Sequence, residues 1–127
     1  MRLLLDTNRY RDFCEGEPHT VRVCRQAGKI MIPFVVLAEL RAGFRFGARS
    51  TTNETILTRF LNKPRVETIY PDEATTYFYA DLYGQLRKQG TPIPTNDLWI
   101  GALSIRHDLI LCSRDQHFDH LPQIPRI

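Results

Sequence analysis

Three short runs without a polar residue, at positions 3–5, 30–32 and 109–112, restrict the folds open to this chain. Successive side chains of a strand point to opposite faces, so a run that is apolar at every position is a strand buried on both sides. Strand-like segments at 2–5, 30–32, 66–69 and 109–112 alternate with segments of helical spacing, and 123–127 adds a weak edge strand. Helices are expected to end near Gly28 and to span about 34–47 and 51–61. A longer one, opened by Pro71 with Asp72 and Glu73 in its first turn, runs to Gly90 and buries Tyr79, Leu82, Tyr83 and Leu86. Another, capped by Asn96, runs to about His107. Such alternation gives a three-layer α/β/α fold with a central parallel sheet of four or five strands. The 127 residues suit one domain, 1–127, with one core.

The composition narrows function. No apolar run is long enough to span a bilayer. The apolar start meets Asp6 too early for a secretory signal, so a cytoplasmic protein is expected. Cys14, Cys24 and Cys112 form neither a disulfide framework nor a Cys-x-x-Cys zinc unit. The net charge is +3, and only Lys29, Lys63 and Lys88 among 17 basic residues are lysine. Arginine's planar fork suits phosphate, although arginine usage also follows genome composition.

Four carboxylates stand at punctuated positions. Asp6 and Asp115 follow the first and last strands, Glu39 lies in a helix that opens after Pro33, and Asp97 lies at a helix start. In a parallel α/β sheet the site lies outside the carboxyl ends of the strands. Asp6 and Asp115 converge there if their strands are neighbours. Small residues accompany the other two, with Gly101, Ala102 and Ser104 after Asp97 and Ala42 and Gly43 after Glu39. That leaves room for a close backbone or a substrate. Clustered acids raise one another's pKa until a cation binds, and an all-oxygen pocket suits magnesium or manganese. Such an ion makes water nucleophilic at neutral pH and suits in-line phosphoryl displacement. Each acid alone has a plain structural reading. Asp6 and Asp115 can start turns and Asp97 can favour a helix dipole, whereas Glu39 among buried neighbours is hardest to explain so. Asp119 is a weaker fifth candidate, and Asp12, Glu54, Glu67, Asp81 and Asp108 read as solvated or helix-terminal charges.

Four segments in order carry a resemblance: Leu3-Leu4-Leu5-Asp6-Thr7-Asn8, Pro33-Phe34-Val35-Val36-Leu37-Ala38-Glu39-Leu40, Pro94-Thr95-Asn96-Asp97-Leu98-Trp99-Ile100-Gly101-Ala102, and Ser113-Arg114-Asp115-Gln116-His117-Phe118. Together they resemble a PIN domain, and more closely the VapC-type toxins of toxin–antitoxin pairs. The resemblance implies a magnesium- or manganese-dependent endoribonuclease. Asp6 and Asp97 would be the leading metal ligands, completed by Glu39 and Asp115, with Asn8 and Ser113 in support. It also implies a homodimer and a cognate antitoxin that blocks the site. Where the family often continues with apolar residues, this chain has Arg9-Tyr10-Arg11. Arg9 could meet an RNA phosphate or an antitoxin carboxylate and Tyr10 could stack on a base, or both could face solvent at a helix start.

Arg41, Arg45 and Arg49 recur every four residues as a basic stripe open to RNA or an acidic antitoxin segment, or simply to solvent. His117 and His120 lack a third soft ligand, so zinc is not expected, and nothing places a second general base near a phosphate. Trp99 and Phe118 read as core. Two other functions fit the pattern less well. One is a PIN-type RNA-processing nuclease without a toxin role. The other is a receiver-type phosphoacceptor, which needs paired acids after the first strand and a lysine after the last, and both are absent.

Overall fold

The computed structural model describes residues 1–127. Strands β1 (Arg2–Leu5), β2 (Lys29–Pro33), β3 (Val66–Ile69) and β4 (Ile110–Cys112) form one parallel sheet in the order β3-β2-β1-β4. Leu3, Leu4 and Leu5 are consecutive and all fully buried, as are Ile30 and Ile32, so both faces of the sheet are covered. Helices α1 (Thr7–Cys14), α2 (Pro18–Gln26), α3 (Phe34–Phe46), α4 (Ser50–Leu61), α5 (Glu73–Gln89) and α6 (Thr95–Arg106) supply the cover. This is the expected three-layer α/β/α architecture. The fifth strand shrinks to one bridge, in which the Leu111 N–H donates to Pro125 O and the Ile127 N–H to Leu111 O.

Topology fixes where a site can form. The chain leaves β1 for β2 and β3 on one side, then returns to place β4 on the other, with Leu3 opposite Ile110 and Leu5 opposite Cys112. The carboxyl ends of β1 and β4 therefore flank the crevice of a topological switch point. Asp6 and Ser113 are the next residue of each strand.

Local chemistry explains most boundaries, with three differences from the sequence expectation. Pro71 lies outside α5, and Asp72 is its N-cap in a reciprocal capping box with Thr75. On α5, Leu82 and Leu86 are buried, while Tyr83 is 49% exposed. Helix α6 starts after Pro94 with no side-chain cap, so Asn96 is free for another partner.

Gly101 is small because its helix packs tightly. A Cβ there would meet Ile124 Cδ1 at 3.1 Å and Leu82 Cδ1 at 3.2 Å. The small face of α6 thus serves contact with α5 and the C-terminal segment, rather than approach of a substrate.

Candidate metal centre

All four acids arrive at one cleft. Asp6, Thr7, Asn8, Arg11, Glu39, Asp97, Ile100 and Asp115 line a cavity of about 70 Å³. A small, partly open cavity of this kind suits an ion with its waters.

Asp6 is 5% exposed. One carboxylate oxygen caps α1 by accepting the Arg9 N–H at 2.9 Å. Ser113, the residue after β4, accepts the Asp115 N–H on its hydroxyl oxygen at 3.0 Å. Burial pushes the Asp6 carboxyl above its usual range and Asp115 adds to it, against the Ser113 and Arg9 hydrogen bonds. Asp97, half-buried, is also pushed up by burial, opposed by His117 and assisted by the charges of Asp115 and Glu39. Two raised carboxyls in a cluster are the electrostatic state that a cation relieves.

Glu39 is oriented from both sides. Thr7 Oγ1 donates to its Oε2 at 3.3 Å, and Asn96 Nδ2 donates to its Oε1 at 3.2 Å. Asn96 therefore holds an acid of the cleft instead of capping α6. His117 sits between two acids. Its Nδ1 lies 2.8 Å from Asp97 Oδ2 and 3.0 Å from Asp115 Oδ1. Both of these partners are distant in sequence or hidden by short-range motifs, and only the fold reveals them. The oxygen-rich donor set suits a hard divalent ion.

Arg9 and Tyr10 turn inward. The Arg9 side chain is 14% exposed, with Nη1 on Asp12 Oδ2 at 3.2 Å and on Thr20 Oγ1 at 3.3 Å. Tyr10 is 3% exposed and packs edge-on against Phe60, centroids 5.4 Å apart. Neither stands at a solvent-facing helix start. Asp12 is likewise buried rather than solvated, and it accepts from Arg114 Nε at 2.9 Å. The arginine that does reach the cleft is Arg11, which is exposed and without a salt bridge. Gly43 makes space for it, since a Cβ there would stand 3.3 Å from Arg11 Nη2.

The basic stripe is broken. Helix α3 ends at Phe46, and Arg49 is the N-cap of α4. Arg41 donates to Glu54 Oε1 at 3.0 Å, and Arg41, Arg45 and Arg59 line a groove of about 650 Å³ between α3 and α4. Asp119 turns away to Arg126, at 2.7 Å. Phe118 is buried, whereas Trp99 is half-buried, its ring 4.5 Å from that of Tyr79.

The model of the PIN domain family matches residues 3–124. The chain is a PIN domain. A curated relative of this PIN domain, Ribonuclease VapC1 of Haemophilus influenzae, is 33% identical over 116 residues, 87% of this chain and 85% of its own. Ribonuclease VapC4 of Mycobacterium tuberculosis is 27% identical over 93 residues, 73% of this chain and 72% of its own. The crystal structure of VapBC2 from Rickettsia felis, bound to a DNA fragment from their promoter, aligns with a TM-score of 0.85 at 26% identity. That alignment covers 100% of this chain and 98% of the other. The receiver alternative has no place beside these matches.

Proposed function

We propose that this PIN domain is a divalent-metal-dependent endoribonuclease and the toxin of a toxin–antitoxin pair. The observation that carries the chemistry is the convergence of Asp6, Glu39, Asp97 and Asp115 on one small cleft at the switch point, with two of them held above the usual carboxylate range by burial. Its relatives named as VapC ribonucleases and the VapBC complexes support RNA as substrate and an antitoxin as partner.

Asp6 and Asp97 would hold a magnesium or manganese ion, with Glu39 and Asp115 completing the acidic set. When bound, the ion neutralises developing charge and acidifies water for attack on a phosphodiester. The chain's own contribution is placement. Thr7 and Asn96 fix Glu39, Ser113 holds the Asp115 backbone, and Asn8 presents a further polar group to the cleft. RNA would lie across the mouth of this small cleft, where Arg11 offers a phosphate an unpaired guanidinium. Arg41 and Arg45, in the α3–α4 groove, suit an acidic antitoxin segment or the RNA backbone. Tyr70, 65% exposed and stacked on Phe34, supplies apolar surface for a homodimer. No helix is long and apolar enough to cross a membrane, which accords with work on RNA in the cytoplasm.

Purified protein should cleave RNA with magnesium or manganese and lose the activity in a chelator. Asp6→Asn and Asp97→Asn should abolish cleavage with the circular dichroism spectrum unchanged. Metal-independent cleavage, or full activity in Asp97→Asn, would sink the mechanism. A neighbouring small gene whose product blocks cleavage and binds DNA separates a toxin from a processing nuclease.

A further inference from the structure

We propose that His117 gives the cation a nitrogen ligand, alongside Asp97 and Asp115, and so turns this end of the cleft from magnesium towards manganese. The inference rests on the reading of the cleft as a divalent-metal site. The ligand atoms of Asp97, Asp115 and His117 all lie within 4.8 Å of one another. A small octahedral dication with bonds of about 2.1 Å sets adjacent ligand atoms about 3.0 Å apart. Nδ1 of His117 is 2.8 Å from one carboxylate oxygen and 3.0 Å from the other. The nitrogen thus stands at ligand-to-ligand spacing from each carboxylate, as two ligands of one ion would.

The ring is placed from its own backbone. The His117 N–H donates to Asp115 Oδ1 at 2.9 Å, so the acid that caps the short 3-10 helix Gln116–His120 also fixes the residue beside it. The side chain is 45% exposed, so core packing does not hold the ring there; the two acids do. A histidine serving the core would be buried, and one serving solubility would not lean on two carboxylates of the same cleft. Carboxylates accept magnesium and manganese alike, whereas magnesium keeps to oxygen ligands and manganese, a transition ion, also takes a nitrogen, so the imidazole is the discriminating ligand.

The test is pulsed electron paramagnetic resonance on Mn²⁺ bound to the full chain, compared with His117→Gln. Wild-type protein should show modulation from a coordinated imidazole ¹⁴N, and the variant should lack it. By titration, the variant's Mn²⁺ affinity should fall on the order of tenfold, the scale on which disturbed metal sites lose affinity. Its Mg²⁺ affinity should change much less, and its circular dichroism spectrum should be preserved. Mn²⁺ bound by wild type without ¹⁴N modulation overturns the role of His117 and leaves the metal reading standing. Mn²⁺ that does not bind at all overturns both. Equal losses for Mn²⁺ and Mg²⁺ overturn the preference.

Discussion

Replacing Asp12 with asparagine should destabilise this protein by about 2 kcal/mol, although Asp12 is outside the acidic cleft. Its carboxylate accepts from two guanidinium groups, Arg9 at 3.2 Å and Arg114 at 2.9 and 3.3 Å. Hydrogen bonds to charged groups contribute about 1.5–3 kcal/mol each. Arg114 is 54% exposed, which reduces its share to that of a solvent-screened surface pair. Arg9 is 14% exposed and its Nε already lacks a partner, so its share stays near the lower end of the full value. An unfolding entropy of roughly 2.1 cal/mol/K per residue over 127 residues converts 2 kcal/mol into a fall in Tm of roughly 7 °C. The hydrogen bonds from Arg114, followed by its charge and Arg9, hold the Asp12 carboxyl below its usual range. A lowered folded pKa gives stability that is present above the unfolded value and lost as pH falls through the folded one. The gap between wild type and Asp12→Asn should therefore close on acidification below the ordinary carboxylate range. Thermal unfolding by circular dichroism across that range measures both effects. A fall under about 2 °C at neutral pH, or a gap unchanged by acid, would refute the reasoning and make Asp12 an ordinary surface charge.

The raised carboxyls of Asp6 and Asp97 carry the opposite sign: their stability contribution is present below the unfolded pKa and lost as pH rises through the folded one. In a chelator, Tm should fall as pH rises past the carboxylate range. Asp6→Asn or Asp97→Asn should blunt that fall and magnesium should reverse it, and a flat thermal-shift profile would count against a strained, metal-free cleft. Gly43→Ala should stabilise α3 by up to about 1 kcal/mol in urea unfolding, because alanine is the better helix former and the exposed Arg11 guanidinium, 3.3 Å away, can yield. The same shift should raise KM for RNA while leaving kcat largely intact, and lower stability would mean that Arg11 is held rigidly.

The sheet and the four acids were legible because their signals are local. An uninterrupted apolar run names a doubly covered strand, and an acid just beyond it marks the strand's carboxyl end. What could not be read depends on partners far along the chain. Asn96 looks like a helix cap at its own position, and only the arrival of Glu39, 57 residues away, gives its amide another acceptor. Tyr10 follows a polar motif and reads as exposed, yet Phe60 of α4 covers it. Asp12 reads as a solvated helix charge until Arg114, 102 residues on, folds over it. His117 has no soft residue at metal-ligand spacing in the sequence, and the fold instead brings it two carboxylates. Glycine spacing in α6 was equally ambiguous, and contact with Leu82 and Ile124 decided it.

The sheet order has a consequence for how the protein is made. Strand β1 is synthesised first, but its neighbour on the cleft side is β4, the last strand of the chain. Such non-local pairing forms late, because loop closure must precede its reward. A nascent chain with β1, β2 and β3 already docked would hold Asp6 and Glu39 without Asp115 or His117. The acidic set therefore stays open on one side until β4 takes its place beside β1.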